Sequence, residues 1–271
     1  AELRAVAQPV HTTRHRPHSD SDLPARWRAA DPATGWRTHD AGFEYTAAEA
    51  PGAAAADSDW LVYHHWRCVG PTRRTEDAAI LDNYGYNQGL SRQLNHVHDV
   101  LLRAAVTFAD RGALRVRLVE GDDGPVVVFD ATENVVQLWR QSTLLAEGPT
   151  SAPLVGDQVT LEAAVCDGRW LIGVNGQEAL ALDDAALVSD ASPAVGPAIA
   201  QTGGATVAWL EIWRDVHYLA PHAQADDWAA PLPLAADAYF LLGDNAPIAL
   251  DSRQYGGVRA ADLLGVVHVA P

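Results

Sequence analysis

Short runs of alternating apolar and polar residues follow one another through the middle of this chain, and turn dipeptides separate them. Val100, Leu102, Ala104, Val106 and Phe108 alternate with Leu101, Arg103, Ala105 and Thr107, the pattern of a half-buried strand. Leu114 to Val119 follows with Arg115 and Arg117 directed outward. Asp122-Asp123-Gly124 turns the chain, Val126 to Phe129 pairs back, and Thr132-Glu133-Asn134 turns it again into Val135–Arg140. Asp167-Gly168 joins Val159–Cys166 to Trp170–Val174, and Asn175-Gly176 follows. Both dipeptides favour tight hairpins, because their residues tolerate positive φ. Val207 to Trp213 closes the series. Upstream, Trp60 to Trp66 reads as an aromatic-rich strand with Trp60, Val62, His64 and Trp66 on one face and Leu61, Tyr63 and His65 on the other. Its two histidines are expected on the strand surface. Many short strands with turns at roughly 8–12-residue spacing imply an all-β sandwich or barrel.

Charge narrows the function classes. The chain carries 35 acidic and 19 basic residues, a net charge of -16. Nucleic acid needs a basic face, so it is excluded as a partner. Electrostatic attraction to anionic lipid is disfavoured for the same reason. Every basic residue is arginine, and neither lysine nor methionine occurs. No reaction that needs a lysine amine can therefore be carried out by these residues alone. Cys68 and Cys166 are expected as two separate thiols. No apolar run reaches the ~18 residues of a membrane span, and no signal-peptide pattern opens the chain.

The segment with the most specific chemistry lies near the end. Tyr239-Phe240-Leu241-Leu242 reads as an apolar strand running into Gly243-Asp244-Asn245. A short loop leads to Asp251-Ser252-Arg253, then Gly256-Gly257-Val258 and an apolar strand from Leu263 to Val269. Gly243 permits backbone that a side chain would penalise. Asp244 and Asn245 can pin a turn. Asp251 and Arg253 share a face in a strand, or form a bidentate pair in a loop. The order of these elements resembles the C-terminal signature of bacterial type I signal peptidases.

That resemblance implies a serine endopeptidase that removes signal peptides, with a Ser-Lys dyad in which a buried lysine acts as base. The two dyad segments do not occur here, so no catalytic residue is assigned in this chain. Gly243, Asp244, Asn245, Asp251, Ser252 and Arg253 are implied as support for the active-site wall. One departure from the family pattern is Ala249, where a serine that helps orient the lysine is usual. The resemblance further implies an extracytoplasmic location and a membrane-anchored parent whose partners are pre-protein signal peptides.

Residues 11–213 are similar to concanavalin A-like or laminin-G-like jelly rolls, through strand rhythm and the Asp167-Gly168-Arg169 and Val174-Asn175-Gly176 turns. One branch of the signal peptidases carries such an insertion and re-enters the peptidase fold through a segment like Trp213-Arg214-Asp215-Val216-His217-Tyr218. The expected layout is a jelly-roll sandwich inserted in a partial signal-peptidase-like β fold. Residues 1–10 would end one part of the peptidase lobe, residues 11–213 would form the sandwich, and residues 214–271 would form the C-terminal segment. An alternative is a non-catalytic β-sandwich that binds glycan or protein. Trp27, Trp36 and Trp228, set in irregular segments, are its candidate stacking residues.

Other patterns are less specific. His11, His15 and His18 have helical spacing, but Pro17 disfavours the helix. Asp82, Asp99, Asp122 and Asp123 offer oxygens without a calcium-loop spacing. His96 and His98 before Asp99 fit a surface pair as well as a zinc site. No phosphate loop, dinucleotide fingerprint or paired-cysteine zinc pattern is present. The expectation is neither metal nor cofactor.

Overall fold

A computed structural model describes residues 7–16, 22–31, 34–39, 42–46, 59–83, 94–118, 124–183, 195–216 and 233–265. The chain divides into two units: Ala1–Asp82 with Arg92–Asp215, and Asn83–Ser91 with Val216–Pro271.

The first unit is an all-β, two-sheet jelly-roll sandwich. Its early strands are β1 (Gln8–Thr12), β2 (Trp27–Ala29), β3 (Trp36–His39), β4 (Gly42–Tyr45), β5 (Trp60–His64), β6 (Trp66–Val69) and β7 (Arg74–Asp77). Then come β8 (Val100–Phe108), β9 (Ala113–Arg117), β10 (Pro125–Asp130), β11 (Val135–Arg140) and β12 (Thr143–Pro149). The series ends with β13 (Val159–Cys166), β14 (Arg169–Val174), β15 (Gln177–Asp183), β16 (Val195–Thr202) and β17 (Ala205–Arg214). One sheet is ordered β15-β14-β13-β8-β17-β4-β3, with β1 also on β17; the other is β12-β11-β10-β9-β16-β5-β2. β6 and β7 form a separate hairpin.

The alternation seen in the sequence becomes burial. Leu114 and Val116 of β9 and Val127 and Phe129 of β10 are fully buried, and they meet Leu102, Ala104, Val106 and Phe108 of β8 in one core between the sheets. β5 is apolar on both faces. Leu61 and Tyr63 enter that core, while Trp60 and Val62 pack with Ala198 and Ala200 in a second cluster. Arg115 and Arg117 cover this cluster, their guanidinium carbons 5.8 and 4.8 Å from the Trp60 ring. The two hairpin dipeptides adopt the expected conformation: Asp167 and Gly168 have φ of 50° and 75°, Asn175 and Gly176 of 52° and 75°.

The Trp60–Trp66 segment departs from the single strand expected. It breaks at His65, because β6 turns away to pair only with β7. At the opposite end of the unit, β17 is shared. Ala205–Val207 pairs with β4 and Glu211–Arg214 pairs with β1, with an irregularity between Val207 and Trp209. Gln8 therefore lies beside Arg214, and Arg214 donates to Gln8 Oε1 at 2.9 Å.

The second unit contains the short hairpin of β18 (Ala238–Tyr239) and β19 (Val258–Arg259), a one-turn helix α1 (Ser252–Tyr255) and a 3₁₀ turn at Ala260–Asp262. The strand expected over Tyr239–Leu242 stops at Tyr239. Beyond it, Leu241 spends its backbone groups on Ser252, donating to its Oγ and accepting from its N, both at 2.9 Å. Leu263 to Gly265 are not in a strand either, and residues 266–269 of the expected closing strand lie outside the described residues.

Candidate functional site

Asp251 is the hub of the C-terminal unit. It is the N-cap of α1, and its Oδ1 accepts from the Arg253 backbone N–H at 3.0 Å. Gln254 completes a capping box, accepting from the Asp251 N–H at 2.7 Å. The Arg253 guanidinium then folds back onto the same carboxylate. Nε donates to Oδ1 at 2.8 Å and Nη2 to Oδ2 at 2.9 Å. This is a bidentate pair, and both side chains are almost sealed from water, at 3% and 4% exposure. Nη2 also donates to the Ala246 carbonyl at 2.8 Å, and Gly243 N–H donates to Asp251 Oδ2 at 3.0 Å. The Arg253 hydrogen bonds above all hold the Asp251 carboxyl below the usual carboxylate range, against the opposing pull of burial.

One carboxylate thus ties three separate stretches: Gly243, the 246–249 turn through Arg253, and α1. Asp251, Ser252 and Arg253 are buried, Gly243 and Asn245 are half-buried, and Asp244 is exposed. Ser252 Oγ accepts from Leu241 and serves as a brace. A Cβ added to Gly243 would stand 2.5 Å from the Ala249 Cβ, so this approach requires glycine. The pair is formed across a helix cap, whereas the sequence left open a strand face or a loop.

The candidate stacking residues lie elsewhere. Trp27 and Trp36 are core residues with 5% and 6% exposure, and Trp27 also lines the cavity described below. Trp36 donates its indole N–H to the Asp59 carbonyl at 3.0 Å. Both rings are buried although their sequence context is irregular; Trp228 lies outside the described residues. Of the histidine trio, His11 stacks on Tyr63 with centroids 5.4 Å apart, His15 is exposed, and His18 lies outside the described residues. Asp82 accepts from the Asn95 backbone and side chain at 2.9 and 3.0 Å. Asp122 and Asp123 lie outside the described residues. His96 is exposed and His98 half-buried. Asp99, Cys166 and Asp215 bring one ligand-type atom each within 4.8 Å of one another, where Asp99 also accepts from the Asp167 N–H at 3.2 Å. Both cysteines are free thiols. Burial and the neighbouring Asp215, Asp99 and Asp167 push the Cys166 thiol up to about 12.

The comparison with known families decides the affiliation. Residues 120–270, just over half of the chain, match the family described as signal peptidase, peptidase S26. The chain belongs to this signal peptidase family. No curated protein matches the sequence significantly. Solved structures of similar outline are distant. The exoplasmic/lumenal domain of VIP36, bound to Ca2+ and Man3GlcNAc, is 11% identical with a TM-score of 0.47, over 82% of this chain and 96% of that one. The carbohydrate-binding module CBM66 from Bacillus subtilis is 11% identical with a TM-score of 0.39, over 71% and 94%. A GlcNAcα1-4Gal-releasing endo-β-galactosidase from Clostridium perfringens is 6% identical with a TM-score of 0.45, over 78% and 64%.

This signal peptidase family member also contains two arrangements that spacing did not signal. On the β8–β13–β17 sheet, Arg103 bridges Glu162 and Glu211, each at 2.9 Å. Its three residues are neighbours only through strand register. At the other edge, a half-open cavity of about 190 Å³ lies among β1, β2, β3 and β4, beside Arg26 and Trp66. His65, expected on the surface, is half-buried near it, with Nδ1 3.0 Å from the Tyr63 hydroxyl. Among the described residues, no helix is long and apolar enough to cross a membrane.

Proposed function

We propose that this chain is the insertion-bearing and C-terminal part of a signal-peptidase-type serine endopeptidase acting on the extracytoplasmic side of a membrane. In this reading the sandwich, from Gln8 of β1 to Arg214 of β17, is the insertion, and the residues that follow it brace the wall of the active site through Gly243, Asp244, Asn245, Asp251, Ser252 and Arg253. The serine nucleophile and the lysine base would come from outside these residues, because the chain has no lysine. The observation that carries the proposal is the family match extending through the charge-pinned Gly243–Arg253 turn. Two features support it. Gln8 and Arg214 are paired neighbours, so the sandwich can enter and leave a host fold at one point. Among the described residues, nine of the twelve exposed large apolar side chains fall between Leu234 and Leu264, as expected of a lobe that packs against further chain.

The test is pre-protein cleavage by the complete polypeptide isolated from its native source. Processing that disappears with Arg253→Met supports the reading. A complete polypeptide that cleaves no pre-protein, and in which removal of residues 243–253 changes nothing, would end it. A second role attaches to the sandwich, which we read as a ligand-binding module for glycan or protein. The edge cavity is the observation that favours it.

A further inference from the structure

The edge cavity holds an arginine with unmet chemistry. Arg26 lies over the Trp66 ring, its guanidinium carbon 3.8 Å from the centroid. Its Nη1 is shut off from solvent and has no hydrogen-bond partner. Arg26 as a whole is half-buried and hydrogen-bonds the Tyr63 hydroxyl, so its shortfall is the one sealed nitrogen, and a nearby anion would offset the remaining positive charge. Among the described residues that line the cavity none is acidic, in a chain with 35 acidic residues and a net charge of -16. Arg16 adds a second cation to the wall and donates to the Leu23 carbonyl at 3.0 Å.

The neighbouring titratable groups show the same one-sided field. His11 of β1 lines the cavity, and His65 and Tyr63 stand behind it. Burial and the Arg26 charge hold both imidazoles down at about 4. Burial pushes the Tyr63 hydroxyl up to about 12 despite the Arg26 charge. At neutral pH the described residues here therefore contribute arginine charge, the neutral His11 and His65 rings and no carboxylate.

The remaining lining describes the body of a ligand. Trp27, Phe43 and Trp66 give an apolar wall, and Thr12, Thr13 and Thr38 supply hydroxyls beside it. A cavity of ~150 Å³ accommodates a benzene-sized group, so this one suits a single small ring or amino-acid-sized unit. We infer that the cavity at the β2–β3 edge of the sandwich binds the carboxylate of a small ligand, with Arg26 as its counter-ion and the carbon body against Trp27, Phe43 and Trp66. A planar carboxylate matches one guanidinium fork. A phosphate dianion is better matched by several convergent donors than by the single Arg26 fork beside the neutral His11 ring. The carboxylate could belong to an acidic sugar or to a peptide end, and both present this group next to a compact body. The inference deepens the binding role of the sandwich and is independent of peptidase activity.

The experiment titrates the full chain with D-glucuronate, N-acetylalanine, D-glucose and inorganic phosphate at constant ionic strength, by calorimetry and by NMR of the histidine rings. The expected result is binding of glucuronate, of N-acetylalanine or of both, accompanied by a rise in the His11 pKa as the anion offsets Arg26. Arg26→Gln should weaken that binding at least about tenfold, the loss of a charge-assisted hydrogen bond. Arg26→Lys, which keeps the charge without the fork, should fall between. The histidine readout in the unsubstituted chain decides the matter if Arg26→Gln does not fold. Glucose bound as tightly as glucuronate, or phosphate bound more tightly than either carboxylate, overturns the carboxylate assignment while leaving a binding sandwich. No binding of any probe up to about 10 mM, weaker than the ~4 kcal/mol of a 1 mM site, overturns both.

Discussion

Arg253→Met is the sharpest test of how the C-terminal unit is held together. The substitution keeps a long apolar stem but removes both guanidinium bonds to Asp251, at 2.8 and 2.9 Å, and the 2.8 Å bond to the Ala246 carbonyl. Asp251 stays 3% exposed and charged, with the backbone donors of Gly243 and Arg253 as remaining partners. Breaking a buried pair on one side typically costs about 3–5 kcal/mol, against about 0–1 kcal/mol for a solvent-exposed pair. The two surviving donors place the expected loss near the lower end, about 3 kcal/mol. Native-state hydrogen exchange of the Leu241, Gly243 and Ser252 amides reads it directly, since Gly243 donates to the hub, Leu241 to the helix it caps, and Ser252 from that helix to the Leu241 carbonyl. Adding Asp251→Asn should recover part of the loss, because the uncompensated charge is gone. Exchange at all three amides altered by less than about 1 kcal/mol would show that the pair behaves as a surface pair, and the reasoning would fail.

Gly243→Ala should destabilise the same unit by about 1–3 kcal/mol, because its Cβ would stand 2.5 Å from the Ala249 Cβ; protease nicking confined to residues 233–265 would report it. Acid should weaken the sandwich through His11 and His65, whose folded values of about 4 lie below the unfolded value near 6.5. The unfolded chain takes up protons first, so stability is full above about pH 6.5 and declines toward pH 4, by on the order of 3 kcal/mol per ring in urea titrations. Their facing groups are Arg26, Tyr63 and each other, and His11→Gln should flatten the dependence. Asp251 acts in the same direction at lower pH: its depressed carboxyl adds stability above the usual carboxylate value, lost as pH falls through the folded value. Cys166, pushed up to about 12, should resist iodoacetamide at pH 8 while the exposed Cys68 reacts, as peptide mapping would show.

The strands with clean alternation were legible because one face of each is buried. β8, β9, β10, β11, β13, β14 and β17 all stand where Val, Leu and Ile alternate, and both glycine dipeptides make the turns they predict. The edges were not legible. β12 and β15 are largely open to solvent and have weak apolar patterns, and β3 and β4 are only four residues each. At the turn, the residues were visible but their geometry was not. Whether Asp251 and Arg253 meet across a strand, a loop or a helix cap depends on where the Leu241 backbone bonds, which no local pattern encodes. The cavity was hidden for a similar reason. Arg26, His11 and His65 are far apart in the chain, and only the convergence of β1, β2 and β5 gathers them.

The pairing of Gln8 with Arg214 has a mechanical consequence. Because β1 and β17 run antiparallel, the two chain ends leave the sandwich side by side and in the same direction. Tension that draws them apart loads the ladder one rung at a time, from Gln8–Arg214 inward to Thr12–Glu211. Such a junction unzips at low force, while shear along the long β8–β17 ladder, which engages many rungs together, resists it. Under load the sandwich would open first at its stem, with β8 and β17 still joined.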